Sequence, residues 1–360
     1  MPTTPITPTQ LMIRRFKKHK LAVFSLYMLI GLYAVAVTAE FWAPQNPLQR
    51  ELNYSYAPPQ KLYWNKGLAV EGIKQEINPV TLQKFYVNDA SRNAKLTFFA
   101  KSEPYTIMGI IRMQHKFLAV EKQENELLVF YPLGADQYGR CLMSRILVGA
   151  RVSLSVGLIG VFITFILGIT IGGISGYAGG KIDLIIQRFI EIINAFPTLP
   201  LWLALGASVP PEWSPLQTYF AITVALSLLS WTGLARVVRG KILALREEEY
   251  ALAAKLIGAS RRRILIKHLL PGFTSHILVS LTISIPGMIL GETSLSFLGL
   301  GLRPPIISWG VMLQDCMDVK AVLHEPWLMA PVIAIILTVL AFNFLGDGLR
   351  DAADPFAAKS

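Results

Sequence analysis

The chain has 360 residues, 53% of them hydrophobic and only 16% charged, with a mean hydropathy of +0.47. That balance excludes an ordinary soluble domain and points to an all-α integral membrane protein with several spans. The formal net charge of +11 sits in two stretches: residues 1–20 hold five bases and no acid, and residues 236–267 hold nine bases against Glu247, Glu248 and Glu249. Basic charge concentrated beside apolar runs is the positive-inside pattern, whereas a nucleic-acid face would interleave it with aromatics, so no nucleic-acid partner is expected.

Crossing a bilayer takes about 20 mostly apolar residues. Six segments meet this, at about 21–42, 152–176, 187–209, 217–236, 276–299 and 327–346. An even number puts both termini on one side. With Arg14, Arg15, Lys17, Lys18 and Lys20 inside, the loops at 177–188 and 236–275 fall inside as well. The loop near 210–216, which has no Lys or Arg, and the loop at 300–326, with only Arg303 and Lys320, fall outside. The expected layout is a basic cytoplasmic N-terminus at 1–20, a first span at 21–42, an extracytoplasmic insert at 43–130, and a core at 131–350 with five spans. Within that core lies a cytoplasmic loop at 237–272, and a cytoplasmic tail at 351–360 follows it. The first span has a rival reading as a signal peptide cleaved after Val37-Thr38-Ala39, but its apolar run exceeds the 7 to 15 residues of a signal core.

The insert mixes Pro58-Pro59 and aromatic residues with short β-prone runs, KLTFF at 95–99 and ELLVFY at 126–131, and reads as a small β-rich domain. Helix breakers occur within the spans: Pro197 and Pro200 in the third, Pro286 and Gly287 interrupting the fifth. Glycines recur in the second, at Gly157, Gly160, Gly168, Gly172 and Gly173. Small residues let helices approach closely in lipid, and the same breakers could let a pathway open and close. Among ionisable residues inside spans, Arg188 precedes Glu191 by one turn, the spacing of an ion pair. Glu292 could line a pathway or hold a broken helix end.

The polar stretch 247–272, EEEYALAAKLIGASRRRILIKHLLPG, puts Tyr250, Ala253, Ala254 and Ile257 at helical spacing as one apolar stripe. Gly258 is placed to end that helix, Ser260 to cap a second, and Pro271 to follow the second one's end. Arg261, Arg262 and Arg263 in the first turn of the second helix oppose its macrodipole. Lipid phosphate or the acids of a partner are what such arginines could serve.

EYALAAKLIGASRRRILIKHLLPG resembles the cytoplasmic signature of permease subunits of ATP-binding cassette importers, with Ala253, Ala254, Gly258 and Leu270-Pro271 in register and Leu252 where the family carries glutamate. YPLGADQYGRCLMSRILVGARVSLSVG at 131–157, AFPTLP at 195–200, GETSLSFLGLG at 291–301 and GDGLRDAADP at 346–355 are similar to the dipeptide and oligopeptide members, and YSYAPPQ to a subgroup with a long insert. The resemblance covers about 130–355 and the basic N-terminus with its first span. It implies an inner-membrane subunit that pairs with a second permease and takes cargo from an extracytoplasmic solute-binding protein. It also implies docking of ATPase subunits through short helices that include Tyr250, Ala253, Ala254, Gly258, Ala259, Ser260, Arg261, Leu270 and Pro271. Pro197, Pro200, Pro286 and Glu292 are the pathway or gating candidates.

The chain carries no nucleotide site of its own, since GYAGGKID at 176–183 lacks the Ser or Thr and the first glycine of a P-loop. No metal, nucleophile or cofactor pattern is found, so no catalytic role is expected. Cys141 and Cys316 lack metal spacing and leave a disulfide open. An ion-driven secondary transporter is the alternative reading; it calls for internal repeats and acids at the midplane.

Overall fold

The structure is a computed structural model that describes residues 8–64, 67–77, 79–80, 84–89, 91, 93–120 and 128–353. Among these, five helices are long and apolar enough to cross a membrane: Lys20–Val37, Leu142–Ala178, Pro215–Leu245, Arg261–Phe297 and Pro326–Ala353. The expected third span is not one rod. It forms two helices, Gly180–Ala195 and Thr198–Ala207, bent by 83°, and supplies a sixth crossing only if the pair counts as one. The cause is local. Phe196 stands before Pro197, takes φ −85° and ψ 137°, and leaves the helical region that a following proline disfavours.

In chain order the helices are α1 (Pro8–Lys18), α2 (Lys20–Val37), α3 (Ala39–Trp42), α4 (Leu142–Ala178), α5 (Gly180–Ala195), α6 (Thr198–Ala207), α7 (Pro215–Leu245), α8 (Glu249–Leu256) and α9 (Arg261–Arg263). They continue with α10 (Thr274–Phe297), α11 (Trp309–Met312), α12 (Val319–His324) and α13 (Ala330–Ala353). The strands are β1 (Leu62–Trp64), β2 (Leu68–Val70), β3 (Ile73–Ile77), β4 (Lys84–Asn88), β5 (Ala94–Ile107) and β6 (Ile111–Val120). The chain divides into two compact units. One holds the described residues up to Leu29, Ser155–Leu295 and those from Leu337 on; the other holds Ile30–Leu154 and Ser296–Ile336.

In the first unit, α7 starts at a capping box in which the Ser214 hydroxyl accepts from the Gln217 backbone while the Gln217 side chain accepts from the Ser214 backbone, with Pro215 in the first turn. Glycines bring α4 against α7. A Cβ on Gly168 would lie 2.7 Å from Leu234, one on Gly172 2.9 Å from the Ala235 Cα, and one on Gly176 2.8 Å from the Arg239 carbonyl. This four-residue repeat is what close packing in lipid requires. Pro286, expected to interrupt the fifth span, lies buried inside an unbroken α10.

In the second unit, the insert forms a four-stranded antiparallel sheet in the order β1-β2-β5-β6 and a separate β3-β4 pair. KLTFF lies in β5, whereas Leu128–Tyr131, the described part of ELLVFY, is not a strand. Its backbone pairs with a single glutamine: the Gln60 backbone N–H donates to the Tyr131 carbonyl at 3.0 Å, and Tyr131 N–H donates to Gln60 Oε1 at 2.7 Å. Phe130 and Tyr131 are then free to fill two small cores. Cys141 and Cys316 are both free thiols, so the open disulfide is not formed.

Candidate functional site

The 247–272 stretch forms an elbow. Helix α8 ends at Leu256 with Ile257 as its cap, and Gly258 follows at φ +83°. Gly258 N–H bonds the Lys255 carbonyl at 3.1 Å and Ala259 N–H the Ala254 carbonyl at 3.0 Å, the two bonds of a Schellman turn. Ser260 then caps the next helix, its hydroxyl accepting from Arg263 N–H at 3.3 Å. Arg261, Arg262 and Arg263 are all exposed.

This second arm does not stop at Pro271. It passes through a π-helical turn at Ile264–Leu269 and a 3-10 turn at Leu270–Phe273 into α10, so that Arg261–Phe297 is one helix. Pro271 has no N–H to give the ladder, and the chain absorbs the missing bond by loosening one turn and tightening the next instead of ending.

The stripe expected on α8 splits between two faces. Ala254 turns inward with Ala251, and both pack with Leu234, Val238 and Ile242 of α7 and with Ile264, Leu269, Phe273 and Ile277. Tyr250 and Ala253 face out together with Leu252, Leu256 and Ile257, the last two being 87% and 85% exposed. Ala259 and Leu270 are half-buried against the inner cluster, whereas Ser260, Arg261 and Pro271 are exposed. The elbow is therefore wedged to α7 by small inner residues and shows a bulky apolar ridge outward. Leu252, at the position of the expected acid, follows Glu248 by one turn, with its N–H bonded to the Glu248 carbonyl at 3.0 Å.

Behind the elbow, α7 is bolted to α4 and α5. Asp183 accepts from Arg239 Nε and Nη2, each at 2.5 Å, and from the Ser175 hydroxyl. Arg246 Nη1 donates to the Gly176 carbonyl at 3.1 Å. The sequence gives no hint of the Asp183–Arg239 pair, because its members lie 56 residues apart and belong to no periodic pattern. Arg188 and Glu191 form the expected ion pair, at 2.7 Å and exposed.

The pathway candidates lie on different elements. Pro197 marks the break between α5 and α6 and is exposed, as is Pro200 in the first turn of α6. Glu292 is fully buried in α10. Its neighbour Gly291 is where α6 and α7 close in, since a Cβ there would lie 3.0 Å from both Trp202 and Leu226.

In the second unit the PLGADQYGR segment is tied by charge. Asp136, fully buried, pairs with Arg140 Nε at 2.7 Å and with Arg145. Gly139 at φ +71° leaves no room for a Cβ beside the Glu51 carbonyl. Asp315, which accepts from Gln137 at 2.7 Å, has its pKa pushed up by burial and by the nearby Asp136 charge.

Residues 168–359 match the family profile described as binding-protein-dependent transport system inner membrane component. Residues 7–59 match that of the N-terminal TM domain of oligopeptide transport permease C. The chain is 33% identical over 344 residues to a dipeptide transport system permease protein of Bacillus subtilis, covering 95% of this chain and 84% of that one. It is 41% identical over 227 residues to an oligopeptide transport system permease protein of Haemophilus influenzae, covering 63% and 70%. It is also 41% identical over 223 residues to a glutathione transport system permease protein of Pectobacterium atrosepticum, covering 62% and 72%.

Proposed function

The chain belongs to the family of binding-protein-dependent transport system inner membrane components, and on that premise we propose that it forms half of the peptide pathway of an ATP-driven importer, with the elbow as its ATPase-docking lever. It is a multi-pass permease subunit of such an importer. The peptide cargo rests on the dipeptide, oligopeptide and glutathione relatives. A second permease completes the pathway, two ATPase subunits sit on the cytoplasmic side, and an extracytoplasmic solute-binding protein delivers cargo. Both termini and the 237–272 loop are cytoplasmic and the 43–130 insert is outside, in keeping with the distribution of Lys and Arg.

The observation that carries the docking role is the two-faced elbow: Ala251 and Ala254 buried against α7, with Tyr250, Ala253, Leu256 and Ile257 uncovered on the other side. Uncovered apolar ridges outside a span mark contacts with another protein or with the membrane, and the match of this stretch to the importers' docking signature favours a protein here. ATP binding draws two ATPases together. Each carries its docked elbow, and the elbow carries α7 through the Ala251–Ala254 wedge. The cost of moving cargo uphill is met because the ATP-bound ATPase pair binds one conformation of the permease better than the other. Pro197, Pro200 and Pro286 serve as gating positions, and Glu292, beside the α6–α7 contact at Gly291, lines the pathway.

The test is purification and uptake. The chain is expected to co-purify with an ATPase and a second permease, and vesicles holding the assembly are expected to accumulate peptide only while ATP is hydrolysed. Accumulation driven by an ion gradient without ATP overturns the proposal. A cysteine placed by Ala253→Cys is expected to cross-link to the ATPase, and one placed by Ala254→Cys is not.

A further inference from the structure

The insert ends one of its hairpins in a way that a water-exposed hairpin does not. Strands β5 and β6 pair antiparallel as far as Ile107 and Ile111. The turn between them is closed by a 2.9 Å bond from Ile110 N–H to the Ile107 carbonyl, with Met108 at φ +51° and Gly109 at φ +72°. Two central residues at positive φ make a type I′ turn, whose first position in soluble hairpins favours Asn, Asp or Gly. Here it holds methionine, the Met108-Gly109 pair lies between Ile107 and Ile110, and Met108, Ile110 and Ile111 are 49%, 82% and 58% exposed.

The position of that tip is fixed within its own unit. Helix α2 has 18 residues, about 27 Å at 1.5 Å per residue, which is close to the roughly 30 Å of a hydrocarbon core. Glu40 lies three residues beyond its last residue, Val37. Arg151 holds Glu40 with two bonds, at 2.8 and 2.7 Å, and donates at 3.1 Å to each of the Ala36 and Val37 carbonyls. The Met108 backbone is itself hydrogen-bonded to Glu40. Beside it, Phe41 and Trp42 of α3 stack on Phe117 at 6.1 and 4.8 Å, and Phe98 and Phe99 join the same aromatic group. Of these, Trp42 just past the end of a span is the kind of residue a membrane interface collects. Between Glu103 and Glu121 the sequence has no acid, while the exposed Arg112 and His115 are basic, a balance suited to anionic headgroups.

We infer that the β5–β6 hairpin tip is an interfacial anchor, with Met108, Ile110 and Ile111 immersed at the boundary between headgroups and acyl chains of the leaflet where α2 ends. The bilayer, and not another protein, covers these side chains, because the tip is bonded to a residue one turn past the apolar run of a span. The inference needs only that α2 crosses a membrane, and it stands apart from the choice of cargo.

The experiment uses the full chain assembled with its partner subunits in vesicles of phosphatidylethanolamine and phosphatidylglycerol. Cys316→Ser removes the half-buried thiol, and the buried Cys141 is kept. A spin label is attached through Ile110→Cys, through Ile111→Cys, or, as a water-exposed control in the same insert, through Val80→Cys. The expected result is a severalfold higher ratio of collisions with oxygen to collisions with a neutral nickel chelate at 110 and 111 than at 80. A ratio equal to that at 80 overturns the inference, because the tip is then in water. Shielding from both reagents also overturns it, because a protein then covers the tip. The two tip positions report independently, so a variant that fails to fold at one leaves the other to decide.

Discussion

Two of the apolar surfaces exposed among the described residues, the ridge of the elbow on α8 and the tip of the β5–β6 hairpin, are built on opposite principles. The elbow takes its shape from signals a few residues apart: a glycine that can adopt φ +83°, a serine cap, and two alanines small enough to wedge against α7. The hairpin depends on pairing over long strands and on bonds to Glu40, more than sixty residues earlier in the chain. The family profiles cover the elbow and leave residues 60–167, where the hairpin lies, outside both. The surface proposed to fit a partner subunit takes its shape from local sequence. One that need only meet lipid is satisfied by any exposed apolar tip at the right depth.

The largest effect is expected at the elbow. Gly258 has nothing within 4 Å of where a Cβ would stand, so its role is conformational. Gly258→Val forces a β-branched residue into the left-handed region at a cost on the order of 1–3 kcal/mol. ATP-driven uptake is expected to fall at least tenfold with the chain still inserted in the membrane, as measured in vesicles against the amount of assembled complex. Near-normal uptake would remove the lever from the comparison.

Next comes the support behind the elbow. Gly172→Val drives side-chain atoms into the Ala235 backbone, and such overpacking costs about 1–3 kcal/mol. The purified subunit is expected to melt at a lower temperature than the parent, and the change is expected to be larger than for Gly233→Val, where nothing lies within 4 Å.

A smaller effect separates the two faces of α8. Ala253→Asp, on the outer face, is expected to leave the melting temperature unchanged and to weaken ATPase association. Ala254→Leu, on the inner face, is expected to lower the melting temperature first. Equal behaviour of the two would merge the faces that the structure separates.

How much of this could be read beforehand follows the same division. The Gly258 turn, the Ser260 cap and the Arg188–Glu191 pair were legible because each is decided within four residues. The continuation through Pro271 was not, since proline usually ends a helix and only the π-helical turn before it shows how this one goes on. Leu128–Tyr131 has the composition of a strand but is drawn into two cores by Gln60. The Asp183–Arg239 bolt joins distant residues that carry no common pattern. Pro197 was legible as a breaker, but the 83° angle is a matter of packing.

The smallest expected effect is a pH dependence confined to the insert. Burial lowers the pKa of Lys116, in β6, to about 8. Between pH 8 and the ordinary lysine value near 10.5 the folded insert holds this residue neutral while the unfolded chain keeps it charged. Stability therefore rises with pH across that window and is flat below it. Lys116→Met is expected to abolish the rise, as followed by chemical denaturation of the full chain. A rise that survives the substitution would assign it to another group.

The uninterrupted helix from Arg261 to Phe297 has a mechanical consequence. Glu292 lies 31 positions beyond Arg261, about 46 Å at 1.5 Å per residue. Between them the helix runs through the π-helical and 3-10 turns at Ile264–Phe273, so under the proposed docking a push at the arginines reaches the buried carboxylate along one continuous backbone, through that irregular stretch, and without a relay of side chains.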